Sequence, residues 1–440
     1  MLYCRPLRSG RPLPAILRVN SVTEAPRVAA PRLPVAWLLL PFALGYGASY
    51  FFRNVNAVAG PLLAAEFGLD AGGLGFLTSA YFLAFSLAQI PLGLALDRFG
   101  PARVDAVMLA TAAAGATVFA CADSVAMLGV GRAMIGLGAG AALMSAMSAV
   151  HLWVRRERAA TAIGLITTAG GIGALLASTP TQLLIAALGW RQVFLLLAAI
   201  CALTALAILA TGRHAGAAAS GEGLGALLAG AGRVYASRHF WMLALPMMMI
   251  LGTMLAFQSL WAATWMRDVA GYADAVAIGN VLLCFNIGLT CAFVLSGWLV
   301  DTLRSRGIAP LTTLKGYCAV AFLAQAWLLL MPGWLPHLAW GLMAFGANSL
   351  MAGYALVAAR FPPGMTGRVN TAANLMVFAS AFVMQWGFGM ILNLWPGSAG
   401  GYAVGGYYAA WAVLLLLQLA AWTWLVVATR TMAAGAKERS

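Results

Sequence analysis

Charge is what this sequence has least of. Asp, Glu, Lys and Arg make up 9% of its 440 residues, against about 25% in an ordinary soluble domain. A soluble chain of this length could not cover its surface with so few charges. That excludes a soluble enzyme, a disordered chain and a nucleic-acid-binding protein. Cysteines are few and scattered: Cys4, Cys121, Cys201, Cys284, Cys291 and Cys318 include no C-x-x-C pair, so neither a disulfide framework nor a metal site follows. The four histidines (His151, His214, His239, His337) stand at the ends of apolar runs or outside them, which argues against intramembrane haem or metal chemistry. No cofactor is expected. Of the twelve acids, none falls in the middle of an apolar run. The nearest is Asp105, one turn into the third.

What is abundant is apolar: 62% of residues, with a mean hydropathy of +0.88. A membrane helix needs about 20 mostly apolar residues. Twelve stretches qualify, at 37–62, 73–95, 103–122, 125–151, 159–187 and 192–211, then 239–266, 275–300, 310–331, 337–359, 369–394 and 404–429. If the N-terminus is cytoplasmic, 22 of the 26 Lys and Arg residues fall in cytoplasmic segments, leaving Arg53, Arg132, Arg191 and Arg267. Glu66, Asp70, Asp123, Asp268 and Asp274 then fall outside. This bias predicts a multi-pass inner-membrane protein with both termini cytoplasmic, and it makes the net charge of +14 a matter of topology, not of nucleic acid. Residues 1–34 are Arg- and Pro-rich without an apolar core. They read as a disordered cytoplasmic tail, not a secretory signal. Residues 35–211 and 239–430 read as two six-helix halves. The Gly/Ala-rich segment 212–238 is the cytoplasmic linker, with a short interfacial helix, and 431–440 is a cytoplasmic tail.

The two halves carry a repeat. Gly93 to Arg103 reads GLALDRFGPAR and Gly297 to Gly307 reads GWLVDTLRSRG, so that Gly93 matches Gly297 and Asp97 matches Asp301 at an offset of 204. Repeated halves are the sequence sign of a carrier with its site near mid-membrane. Gly93-x-x-x-Asp97-Arg98-x-Gly100-x-x-Arg103 resembles the loop signature of the major facilitator superfamily. Gly131-Arg132-x-x-x-Gly136-x-Gly138-x-Gly140 and Gly189-Trp190-Arg191-x-x-Phe194 resemble two further signatures of that family. The resemblance covers about 37–430. It implies an all-α membrane protein of twelve transmembrane helices in two pseudo-symmetric six-helix bundles, a monomeric secondary transporter of small solutes working by alternating access. Read physically, Asp97, Arg98 and Arg103, with Asp301 and Arg304 in the second copy, suit a breakable latch at the membrane surface. Gly93 suits close helix approach and Gly100 a tight turn. The plainer alternative is a solvated, topology-setting turn.

Arg53 lies within a turn of the middle of the first span, and an ionisable group there points to function. Its planar fork matches carboxylate or phosphate. Tyr50, Asn54 and Asn56 surround it in sequence. The stretch Arg53 to Pro61, followed by Glu66-Phe67-Gly68-Leu69, resembles helix one of the anion:cation symporter branch, where the Arg contacts the substrate anion. Three features depart from that pattern. Phe52 stands where an acid is common, the usual Asn is displaced to Asn54 and Asn56, and Ala139 replaces the acid of helix four. Anion recognition therefore carries over, and the usual proton-coupling carboxylates do not. A coupling proton would use a surface acid such as Asp105, travel on the substrate, or be absent.

Arg132 either supports Arg53 or is structural. Gln258, Asn286 and Asn374 are polar residues within spans and suit a polar substrate as well as inter-helix bonding. Met247, Met248, Met249 and Met254 fill packing gaps. The leading reading is a carrier of small organic anions (carboxylates, sugar acids or organic phosphates). The alternative is efflux of hydrophobic or drug-like compounds. Against efflux, the fifth span has no Gly-Pro pair and no mid-span acid is present for a cation. A membrane enzyme would need a paired acid/His, Ser/Lys or metal-ligand set in the membrane, and none occurs.

Overall fold

A computed structural model describes residues 35–212, 224–362, 365–395, 397 and 401–437. The tail at 1–34, residues 213–223 of the 212–238 linker and the last three residues lie outside them. The elements are α1 (Val35–Phe67), α2 (Ala71–Phe99), α3 (Pro101–Ala120), α4 (Val125–Ala139), α5 (Ala142–Trp153), α6 (Arg156–Leu176), α7 (Thr179–Leu188), α8 (Trp190–Gly212) and α9 (Leu224–Tyr235). After them come α10 (Arg238–Ala256), a π-helical turn (Phe257–Trp261), α11 (Ala262–Asp268), α12 (Ala275–Ser305), α13 (Pro310–Leu330) and α14 (Pro336–Ser349). A 3-10 turn (Leu350–Ala352), α15 (Gly353–Ala358), α16 (Thr366–Leu392) and α17 (Val404–Lys437) complete the order.

Among the described residues, ten helical runs are long and apolar enough to cross a membrane, and α6 with α7, bent by 50°, makes an eleventh. The twelfth is α1, where Arg53, Asn54 and Asn56 dilute the apolar content. The fourth span joins α4 and α5, the seventh joins α10, the π turn and α11, and the tenth joins α14 and α15. These are the twelve stretches read from the sequence.

Local chemistry sets the ends. Asp70 caps α2 by accepting from the Gly73 amide at 2.6 Å, and Asp274 caps α12 by accepting from the Val276 and Ala277 amides at 3.1 Å. Pro310 and Pro336 open α13 and α14, where a missing N–H costs nothing. Gly100 turns the chain between α2 and α3 at φ +77, a conformation that side chains disfavour.

Small residues then decide which helices touch. A Cβ at Gly136 would collide with the Tyr81 carbonyl of α2, and one at Gly138 would lie 2.5 Å from the Ala112 amide of α3. The second half repeats the device. A Cβ at Gly341 would lie 3.2 Å from the Cys284 carbonyl of α12, and one at Gly346 2.7 Å from the Ala321 amide of α13. Helices four and ten are thus seated by glycine in equivalent positions.

The start of α1 and the end of α17 lie at one face of the bundle, here the terminal face, with the α2–α3 turn. Towards the opposite, far face the halves meet tightly. A Cβ at Gly60 would lie 2.9 Å from Leu260, and one at Gly75 3.0 Å from the Gln385 carbonyl. Asn393 of α16 donates to Asp70 at 2.9 Å and accepts from the Ala71 amide at 3.1 Å. At the terminal face α9 packs on α2, α10 and α16.

Candidate functional site

Tyr46, Ser49, Tyr50 and Arg53 recur at the spacing that puts side chains on one face of a helix. That face of α1 lines a cavity of about 270 Å³ between the halves, running from mid-bundle towards the terminal face. From the first half it is also lined by Phe85 and Gln89 of α2, Ala139 of α4, and Met144 and Met147 of α5. The second half supplies Leu251 and Met254 of α10, Leu289 of α12, Asn348 of α14, Tyr354 of α15, and Asn370, Asn374 and Phe378 of α16. Both halves thus contribute methionine or leucine and amide side chains to the lining.

Arg53 is 5% exposed. Its guanidinium carbon lies 4.2 Å from the ring centre of Tyr50, 4.8 Å from Phe378 and 5.5 Å from Phe85. The rings cover its faces, which favours the cation and leaves the N–H edge for a ligand. Arg53 Nε has no hydrogen-bond partner, and no ion pair to Arg53 occurs among the described residues. Phe85 and Phe378 come from opposite halves and stack at 4.0 Å. Beside them Asn374 donates to Gln89 at 3.0 Å. The cation thus sits where the halves touch.

Of the substrate-binding residues expected from the sequence, Tyr50, Arg53 and Asn374 line this cavity, and Met254, expected to fill a packing gap, lines it as well. Asn54 and Asn56 do not, because they fall off the face that carries Arg53. Asn54 donates to the Tyr50 carbonyl at 2.8 Å, and Asn56 donates to Thr78 of α2 at 3.2 Å. Gln258 and Asn286 also stand outside it. Gln258 donates to Asn286 at 2.8 Å, and Asn286 donates to the Ala174 carbonyl of α6 at 2.9 Å, a relay that ties the halves together. Arg132 is fully buried and donates to the Phe52 carbonyl at 3.0 Å and the Thr78 carbonyl at 3.5 Å. It holds the backbone next to Arg53 without lining the cavity. Sequence reading passed over Ser49, Tyr354 and Asn370. The spacing of the α1 face carries a signal for Ser49. Tyr354 and Asn370 depend on how the second half docks.

Two expectations are corrected. Asp105 is not a surface acid: it is 0% exposed, and neither carboxyl oxygen has a partner. It faces Gly45 of α1, because the short α2–α3 turn leads α3 straight into the bundle. Gly93 does not mediate a close helix contact, since a Cβ there, or at its counterpart Gly297, would meet nothing within 4 Å. Arg98, Arg103, Asp301 and Arg304 are exposed at the terminal face and form no ion pair among the described residues. Asp97 lies in the last turns of α2. The Gly189-Trp190-Arg191 motif has a structural use. Trp190 donates to Glu66 at 2.9 Å, and Arg191 pairs with Glu66 and reaches the Ala122 carbonyl at 3.3 Å. The start of α8 is thereby tied to the ends of α1 and α3.

The chain is similar to known carriers. It is 31% identical over 157 residues, 36% of each chain, to a probable sulfoacetate transporter of Cupriavidus necator. It is 25% identical over 256 residues, 54% of this chain and 58% of the other, to a hexuronate transporter of Escherichia coli K12. These matches span between about a third and three-fifths of the relatives' own length. In fold it is similar to a bacterial homologue of the human lysosomal transporter Spinster, with a TM-score of 0.72 at 18% identity, covering 90% of this chain and 97% of that one. The sequence pattern of the Major Facilitator Superfamily matches residues 42–385, so the chain belongs to that superfamily.

Proposed function

We propose that the protein is a secondary transporter of a small organic anion, with Arg53 as the anchor for the anionic group. The observation that carries this reading is a buried arginine in a cavity between the halves with no ion pair among the described residues. A buried cation favours an opposite charge, and no protein carboxylate supplies one among the described residues, so the substrate does. The similarity to carriers named for sulfoacetate and hexuronate supports the same class. Tyr50 and Phe378 hold the guanidinium, Asn374 and Gln89 offer hydrogen bonds to a polar body, and the methionine and leucine side chains of the lining receive carbon. Transport proceeds by alternating access, with the cavity open to the terminal face in the conformer described. Both termini are cytoplasmic. Gly93, Asp97, Arg98, Gly100 and Arg103, with Asp301 and Arg304, form the switching elements of that face.

A thermal-shift screen of the purified protein tests this. Probes are glucuronate, galacturonate, sulfoacetate, simple monocarboxylates, sugar phosphates and amphiphilic cations. A ligand that binds only the folded state at a hundred times its Kd stabilises by about 2.7 kcal/mol. An anion should raise Tm, and Arg53→Gln should remove that shift. Stabilisation by amphiphilic cations alone, unchanged in Arg53→Gln, would leave efflux as the function. For topology, a reporter fused after Gly271 should read as periplasmic.

A further inference from the structure

We infer that Asp105 is a proton-binding site that sets the conformational equilibrium of the carrier. The inference rests on the alternating-access reading above, but not on which anion is carried. Asp105 is fully buried and both its oxygens lack a hydrogen-bond partner. An ionised carboxylate without a donor is costly in such a place, so the neutral acid is the form that this conformer accommodates.

Among the described residues, the surroundings offer no counter-charge. A Cβ on Gly45 of α1 would lie 3.8 Å from Asp105 Oδ2 and 3.1 Å from Leu109. Helices α2, α4, α5 and α8 pack on α3. From α8 the Cys201 thiol is the titratable group within electrostatic reach of the carboxyl, while Arg191 is held by Glu66 at the far face. From α4, Arg132 is committed to the Phe52 and Thr78 carbonyls. His151 of α5, Arg98 of α2 and Arg103 of α3 itself are exposed.

Asp105 is also placed to exchange a proton and to report it. It stands four residues into α3, about 6 Å along the axis from the start of the helix and directly after the Gly100 turn. A small opening of that turn brings water to it. The helix that it faces, α1, carries Arg53 eight residues beyond Gly45, about 12 Å further along. One proton from water binds the carboxylate and the same proton leaves it, with no redox change. The neutral acid favours the conformer described, with the far face sealed. The ionised form favours a conformer in which the start of α3 is hydrated.

The test needs no substrate. Infrared spectra of the purified protein at neutral pH should contain the C=O band of a protonated carboxylic acid, slow to shift in D2O and missing in Asp105→Asn. Spin labels at the exposed positions 99 and 308 should report a longer distance across the terminal face in acid than in alkali. Asp105→Asn should hold the long distance at every pH, and Asp105→Glu should restore the pH response. Absence of the band in the wild type, or a pH response in Asp105→Asn equal to the wild type's, overturns the proposal. If Asp105→Asn does not fold, the wild-type band decides. Failure of the anion reading shows separately, as a thermal-shift screen in which no anion stabilises the wild type.

Discussion

The two buried arginines have opposite uses, and substitution separates them. Arg53 presents its N–H edge to a cavity, so Arg53→Lys should weaken anion binding by about 1.5–3 kcal/mol, roughly ten- to hundredfold in Kd, with Tm little changed. Arg132 spends its fork on two backbone carbonyls. Arg132→Lys should instead lower stability by about 1–3 kcal/mol by stranding a buried acceptor, read as a lower Tm without ligand. At the far face, the hydrogen bond from Arg191 holds the Glu66 carboxyl below its ordinary value. A carboxyl lowered on folding contributes stability above its unfolded value and loses it as pH falls through the folded one. Acidification through the carboxylate range should therefore lower Tm more in the wild type than in Glu66→Gln. The difference is small, since an exposed pair contributes about 0–1 kcal/mol.

Helices, more than residues, were legible in the sequence. Apolar runs mark all twelve spans, and the glycines of the Gly136-x-Gly138 signature mark where helix four touches its neighbours. Substitution by Ala at Gly138 puts a methyl into the Ala112 amide and should cost about 1–3 kcal/mol through overpacking, seen as reduced Tm. Gly93→Ala meets open space and should fold normally. Orientation around each helix was less legible. Asn54 and Asn56 are neighbours of Arg53 in sequence but bond away from its cavity, because each residue turns the helix by about 100°. The burial of Asp105 is not legible because span ends vary by a few residues, and depth follows from how α3 docks on α4 and α8, not from its own pattern. The π turn in the seventh span has no sequence signal.

For the whole molecule, the seal at the far face is built from backbone approaches rather than charge pairs. A Cβ at Gly389 of α16 would collide with the Ala71 carbonyl of α2, so Gly389→Leu should force these helices apart there. The expected result is a population shift away from this conformer, seen as a shorter distance between labels at 99 and 308. An unchanged distance in a folded variant would show that this contact does not hold the seal. The π turn carries part of that seal, since Leu260 faces Gly60 and Trp261 faces Gly75 across the halves, and its bonds to α16 fix its winding. Trp261, the last residue of the π turn, donates to the Gln385 carbonyl at 3.0 Å, and Ser259 within it donates to the Gln385 side chain at 2.9 Å. A π turn accommodates one residue more than α-winding over the same rise. Returning it to α-winding would rotate Ala262–Asp268 by about 100°, lifting Trp261 off Gln385 and swinging Arg267 and Asp268 around the axis. Rewinding the seventh helix would thus draw Leu260 and Trp261 off the first half and open the far face without melting any helix.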